Sequence, residues 1–223
     1  AIDRSFTVKG IGTVVTGTLL AGTLEVGDQL RHTGSGSTVR IRGLRHDTLD
    51  IQQAVSGERI AININIPHQQ VSRGDWLVPE AQFIAANRVD VTLSLLEPVE
   101  FKSGIRFHLY HGTSHHLVQI RNLGSKFYQL TSHYPLYAGY GDHFILRDPS
   151  CSKTLGGGKI VDIHVPRRGR ASKARLQHLE SLDQGDLPTL NSLLNEHSGG
   201  IDLEQLRSNR NWNTQHLSNL LRQ

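Results

Sequence analysis

Over the first 165 residues hydrophobic and polar positions alternate in short runs, and a helical period replaces the alternation only after Pro166. FTV (6–8), TVVTGTLL (13–20), TVRIRGL (38–44), ERIAINI (58–64) and DWLV (75–78) are rich in β-branched or aromatic residues and are separated by turn formers. That pattern predicts short strands with one buried face. Gly10, Gly12 and Gly17 fall where tight bends between strands need a positive φ or no side chain, and Ala21-Gly22 and Val26-Gly27-Asp28 mark further turns. Together these runs predict a small antiparallel barrel over residues 1–82, with PHQQVSRG (67–74) as a connecting loop and PEAQFIAAN (79–87) leading out of it.

A second all-β unit follows over residues 83–165. RVDVTLSLL (88–96) alternates cleanly, and IRFHLYHG, HHLVQIRNL, KFYQLT, PLYAG, DHFILRD and KIVDIHV repeat the theme with no helical period between them, as in a sandwich or barrel. Gly156, Gly157 and Gly158 are expected to turn the chain into its last strand. At Pro166 the composition changes: residues 166–172 form a basic linker, and from Lys173 to Gln223 leucines recur at i, i+3, i+4 and i+7, which predicts short helices. Asp186 or Asp202 is placed to cap the helix after it. A turn near Arg210 to Asn213 gives these helices the look of the helix-turn-helix part of a winged-helix domain. The fold class is therefore mainly β, two antiparallel barrels followed by a small α-helical unit.

Composition narrows the function classes. The chain has 223 residues, 37% hydrophobic, with a net charge of +4 and a pI near 9.4, enough for two or three small domains and compatible with a nucleic-acid partner. No apolar run reaches the roughly 18–20 residues of a membrane span, and Ala1-Ile2-Asp3-Arg4 lacks the order of a signal peptide. A cytoplasmic, monomeric protein with no membrane partner is expected. Cys151 stands alone, so no disulfide forms within the chain. The absence of methionine and a strand starting within the first residues read as a piece of a larger protein.

Candidate chemistry is sparse. A phosphate-binding P-loop fails at Gly158-Lys159, because Ile160 follows where Ser or Thr is needed and Lys153 stands where the first glycine belongs. Gly10 and Gly12 lack the third glycine of a dinucleotide site. His111, His115 and His116 form the one histidine cluster, but on strands and loops their spacing is wrong for a shared metal, and exposed histidines are expected. Cys151 has no histidine nearby in sequence, and no nucleophile elbow occurs; no catalytic and no metal residue is assigned. Asp3-Arg4 opens the first strand and Arg59 another, positions that can meet at one rim of a barrel. There a carboxylate holds a guanidinium whose other donors face an anion; a plain surface ion pair is the other reading. Arg167, Arg168, Arg170, Lys173 and Arg175 suit RNA phosphate contacts or, equally, a solvated linker.

FTVKGIGTVVTGTLLAGTLEVGD (6–28) resembles the second domain of the translational GTPases of the elongation factor Tu superfamily. Within it, AIDRSFTVKG, RIRGLRH, GERIAINI, RGDWL and TLGGGKIVDI, followed by PRRG and leucine-rich helices, resemble the SelB family of bacterial selenocysteine-specific elongation factors. The likeness covers essentially the whole chain, as domains II and III and the start of a winged-helix array.

The resemblance implies a selenocysteyl-tRNA partner whose aminoacyl end lies against the first barrel, with Asp3, Arg4 and Arg59 as the pocket: Arg59 acting by charge and Asp3 by orienting Arg4. A selenol is far more acidic than a serine hydroxyl, so an anionic selenolate gains from guanidiniums where serine does not. The resemblance also implies the ribosome as a partner, tRNA backbone contacts by the second barrel, GTP and Mg2+ in a GTPase domain preceding Ala1, and an mRNA hairpin bound by winged helices beyond Gln223. This stretch itself is expected to carry no cofactor and no enzymatic activity. The rival readings are a general aminoacyl-tRNA carrier, a DNA-binding regulator with β-barrel sensor domains, and a zinc enzyme built on the histidines.

Overall fold

The computed structural model describes residues 1–196 and 199–222; His197 and Gln223, which the helical runs above include, lie outside the described residues. The chain forms two compact units, Ala1–Phe83 with Gly112–His115, and Ile84–His111 with the chain from His116 onward.

In the first unit, strands β1 (Ile2–Val8), β2 (Gly12–Thr18), β3 (Thr23–Glu25), β4 (Gln29–His32), β5 (Thr38–His46), β6 (Leu49–Ile51), β7 (Gln53–Val55), β8 (Arg59–Ile64) and β9 (Leu77–Val78) follow in order. A seven-stranded half-barrel runs β1-β2-β8-β5-β4-β9, with β6 beside β5, and β3 and β7 make a separate ribbon. The period-2 pattern decides which face is buried: Ile60, Ile62 and Ile64 of β8 point inward with Val15, Val39 and Ile41, and Arg59 and Asn63 point outward. Ile2 exchanges backbone hydrogen bonds with Gly74 and Asp75 at 3.0 and 2.8 Å, tying the free edge of β1 to the segment that enters β9. His32, fully buried, links β4 to that same segment through Asp75 (3.0 Å) and to its own turn through Ser35 (2.9 Å), so its polar ring is satisfied in the interior.

Gly10 and Gly12 do adopt positive φ, 82° and 104°, in the β1–β2 turn. Gly17 differs from expectation: it lies inside β2, where an added Cβ would fall 2.0 Å from the carbonyl oxygen of Ala1. It is required by a close backbone approach rather than by a bend.

The second unit opens with a closed barrel. Its strands β10 (Ala86–Leu95), β11 (Phe107–His111), β12 (Ser114–Gly124), β13 (Phe127–Leu136), β14 (His143–Arg147) and β15 (Thr154–Asp162) are arranged β10-β13-β12-β11-β14-β15. Val89, Val91, Leu109, Val118, Leu130 and Leu146 fill it. The three expected turn glycines are instead inside β15. A Cβ on Gly156 would meet Ser94 O at 2.1 Å and one on Gly158 would meet Thr92 O at 1.9 Å, so glycine here allows β10 and β15 to approach closely enough to close the barrel.

Helices α1 (Lys173–Leu182), α2 (Asp186–Glu196), α3 (Leu203–Asn209) and α4 (Thr214–Leu220) follow. Their leucines Leu179, Leu182, Leu190, Leu193 and Leu206, with Trp212, form one core with barrel residues Leu123, Phe127 and Val161. Asp202 caps α3 by accepting from the Gln205 N–H at 2.9 Å. Asp186 does not cap; it is the first residue of α2, and its carboxylate accepts from Arg210 and His216, each at 2.8 Å. None of the described helices is long and apolar enough to cross a membrane.

Candidate anion-recognition site

The site is built by one irregularity in β1. Ile2 stands opposite Gly17 and Arg4 opposite Thr16, so Asp3 is the extra residue of a β-bulge, and a bulge re-aims the side chain it carries. Asp3 accordingly reaches over β2, accepting from the Thr16 hydroxyl at 2.6 Å through Oδ1 and from the Arg59 guanidinium of β8 through Oδ2. Arg59 is opposite Thr18, and Ala61 is opposite Thr16, which places Arg59 diagonally from Thr16 and lets its long side chain reach across β2 to Asp3 on β1.

Burial works against ionisation of Asp3, but the hydrogen bonds from Thr16 and Arg59 and the positive charges of Arg59 and Arg4 outweigh it and hold the carboxyl below its usual range. Asp3 is therefore a fixed anion at neutral pH. The side chain of Arg59 is 57% exposed against 19% for Asp3. Asp3 is the one hydrogen-bond partner of Arg59 among the described residues, which leaves most of its five N–H donors facing outward. A carboxylate behind an arginine with free donors in front is a device for receiving an anion.

All three residues expected at the site lie on this part of the sheet, but their roles change. Asp3 orients Arg59, not Arg4. The bulge breaks the simple alternation of β1, so Asp3 lies over the same outer face as Arg4 and takes its partners from β2 and β8. Arg4 is exposed, in register with Thr16, and acts on Asp3 through its charge. Thr16 is the residue that sequence reasoning missed. The alternation of β2 places it on the outer face, but the bulge that brings a carboxylate to it has no sequence signature.

The basic segment divides. Arg167, Arg168 and Lys173 are exposed. Arg170 instead donates to the Gln129 side chain at 3.0 Å. Arg175 is buried, its guanidinium donating to Asp90 at 3.1 and 2.5 Å and to Asp162 at 2.6 Å; it is a fastener of α1, not a solvated linker charge. The basic excess lies in the second barrel and still more in the segment after it: residues 84–165 hold eight Lys and Arg against six Asp and Glu and residues 166–172 add three arginines, whereas residues 1–83 hold eight of each. Any electrostatic hold on a phosphate backbone is concentrated there.

His111 is buried rather than exposed, because the alternation of β11 turns Phe107, Leu109 and His111 inward; its Nε2 lies 3.2 Å from Asp142 Oδ2. Among the described residues no group of His, Cys, Asp or Glu is arranged to hold a metal ion. Cys151 Sγ is 3.1 Å from the Tyr110 hydroxyl. At the helical end, α4 contains no Lys or Arg and α3 has only Arg207, paired with Glu204 at 2.8 Å. Arg210 is buried, stacked 3.8 Å above the Tyr140 ring. The second helix of this helix-turn-helix arrangement therefore lacks the cations with which such a helix grips duplex DNA.

Residues 12–78 match the family described as elongation factor Tu domain 2, and residues 86–167 match the selenocysteine-specific elongation factor beta-barrel domain. The whole chain is 36% identical over 227 residues to the selenocysteine-specific elongation factor of Escherichia coli (strain K12), of which it covers 36%. Over 82% of its length it is 31% identical to the protein of the same name from Haemophilus influenzae, covering 30% of it. The chain thus spans about a third of the length of these curated relatives. Among solved structures, that of a bacterial selenocysteine-specific elongation factor, EF-Sec, superposes with a TM-score of 0.80 at 23% identity, over 94% of this chain and 34% of the other. Translation elongation factor SelB from Methanococcus maripaludis, in its apo form, gives 0.61 at 19% identity, over 73% and 42%. At those identities the structural likeness establishes the fold.

Proposed function

The chain belongs to the family of selenocysteine-specific elongation factors, and from that premise we propose that its first unit recognises the anionic side chain of selenocysteyl-tRNA through Arg59. The observation that carries the reading is the Asp3–Arg59 pair on the outer face of the half-barrel, with the remaining Arg59 donors open. Arg4, exposed on β1 next to Asp3, adds a second positive charge. A selenolate presented there is attracted by both guanidiniums, whereas the neutral hydroxyl of serine is not, so the pair discriminates by charge.

The second barrel and the basic segment after it supply the phosphate contacts, with the exposed Arg167, Arg168 and Lys173 furthest along the chain. In the whole protein this stretch serves as the tRNA-binding part of a factor that delivers selenocysteyl-tRNA to the ribosome at recoded UGA codons. GTP with Mg2+ and the mRNA hairpin are bound by other parts of that protein, and this stretch supplies no catalytic residue of its own. The test is the ratio of affinities for selenocysteyl-tRNA and seryl-tRNA, measured with the full-length factor. Arg59→Ala is expected to collapse that ratio; an unchanged ratio removes Arg59 from the pocket.

A further inference from the structure

We infer that Thr16 is the positioning residue of this site: its hydroxyl fixes the Asp3 carboxylate so that Asp3 holds Arg59 by one oxygen and leaves the guanidinium aimed at the ligand. The inference rests on the reading of Arg59 given above.

Three features of the geometry support it. Asp3 has two oxygens and each has a separate task, Oδ1 accepting from Thr16 at 2.6 Å and Oδ2 accepting from Arg59. Without the hydroxyl, both oxygens are free to take the guanidinium as a bidentate pair, the arrangement that carboxylates and arginines favour. Such a pair commits two N–H donors and turns the fork toward the protein. With Thr16 fixing the orientation of the carboxylate, only Oδ2 meets Arg59, and the guanidinium keeps its other donors for an incoming anion.

The second feature is stiffness. Threonine is β-branched, with few χ1 choices, and Thr16 is paired on both sides, with Arg4 of β1 and Ala61 of β8. Arg59 begins β8, and its side chain is more than half exposed. Asp3 sits on a bulge. A rigid donor in mid-sheet is thus the fixed point from which two more mobile side chains are oriented, and orientation before binding lowers the entropy lost on binding.

The third is electrostatic. The Thr16 hydrogen bond helps keep Asp3 ionised, and an ionised Asp3 is needed to hold Arg59. Thr16 therefore acts on the ligand only through Asp3 and Arg59.

The experiment uses the full-length factor with Thr16→Val, which removes the hydroxyl and keeps the shape, Thr16→Ser, which keeps the hydroxyl, and Arg59→Ala. Affinities for selenocysteyl-tRNA and seryl-tRNA are compared, and the Asp3 carboxyl is titrated by NMR. Thr16→Val is expected to lower the ratio of the two affinities by about tenfold, the scale of one hydrogen bond to a charged group, and to raise the Asp3 titration midpoint. Thr16→Ser is expected to retain both. If Arg59→Ala leaves the ratio unchanged, the pocket reading fails. If Arg59→Ala collapses the ratio while Thr16→Val changes neither ratio nor midpoint, or Thr16→Ser fails to preserve them, only the role of Thr16 is overturned. Thr16→Ala repeats the test should the valine methyl crowd Asp3 and unfold the strand.

Discussion

Arg175 of α1 and Asp90 of β10 are joined by two hydrogen bonds, 3.1 and 2.5 Å, in a position from which solvent is excluded. Asp90 stands opposite both Gln129 and Asp162, so one row across β13, β10 and β15 presents a buried polar patch. Arg175 closes that patch by taking Asp162 as well, at 2.6 Å, while Gln129 donates to Asp90 and accepts from Arg170, both at 3.0 Å. Beside this row the leucines of α1 and α2 cover Phe127 and Val161. Polar and apolar halves of one interface together hold the helices on the barrel.

Removing one partner of such a cluster leaves buried charge uncompensated, a loss of about 3–5 kcal/mol. Arg175→Met is therefore expected to lower the unfolding free energy of the second unit by that much, and its urea midpoint accordingly. Arg59→Ala breaks a more exposed pair and is expected to cost less than about 1 kcal/mol. Equilibrium unfolding of the two variants followed by tryptophan fluorescence and circular dichroism checks both.

Asp183, at the end of α1, receives Lys126 and Lys159 of the barrel, each at 2.7 Å. Burial raises its pKa, but the two lysines overcome that and hold it below the ordinary value of 3.8. The folded state then binds its proton less readily than the unfolded state. The stabilisation it provides is complete above the unfolded value and is lost as pH falls through the lower, folded one. Stability curves of wild type and Asp183→Asn should differ at pH 6 and converge as the pH falls below 3.8 through the lower, folded value. Comparing the two on one background removes the contribution of Asp90, whose carboxyl is pushed up by burial despite Arg175 and so runs in the opposite sense.

Barrel closure depends on Gly158. A Cβ there would lie 1.9 Å from Thr92 O, a backbone atom that moves only with its strand, so Gly158→Ala is expected to destabilise the second unit by about 2 kcal/mol or more. Gly43 in β5 has open space where a Cβ would go, and Gly43→Ala is expected to change stability by less than about 1 kcal/mol. Urea unfolding of each variant reads the contrast.

At the helical end, Asp202 and Asn213 cap α3 and α4 through bonds of 2.9 and 2.7 Å to the N–H groups of Gln205 and His216. Asp202→Ala and Asn213→Ala are each expected to cost about 1 kcal/mol. Hydrogen exchange should show the loss first in the amides of the helix concerned.

Much of the architecture was legible from residue order alone. Period-2 runs such as ERIAINI and RVDVTLSLL identify strands because a sheet face must be apolar to be buried, and leucine spacing after Lys173 identifies helices for the same reason. Asp3, Arg4 and Arg59 were legible as residues that meet at one rim of the barrel from their strand-end positions, while their grouping as an anion pocket came from the family resemblance. Tertiary structure alone decided who touches whom. The bulge in β1 gives Asp3 to Arg59 and Thr16 instead of Arg4; strand alternation buries His111; close approach of β10 and β15, not a turn, demands Gly156 and Gly158; and Arg175 leaves the basic segment to neutralise Asp90 and Asp162. Periodicity is a local property, set by how each side chain leaves its own backbone. Pairing register, bulges and buried ion clusters join residues dozens of positions apart, and they form only when the sheets and helices carrying them have packed.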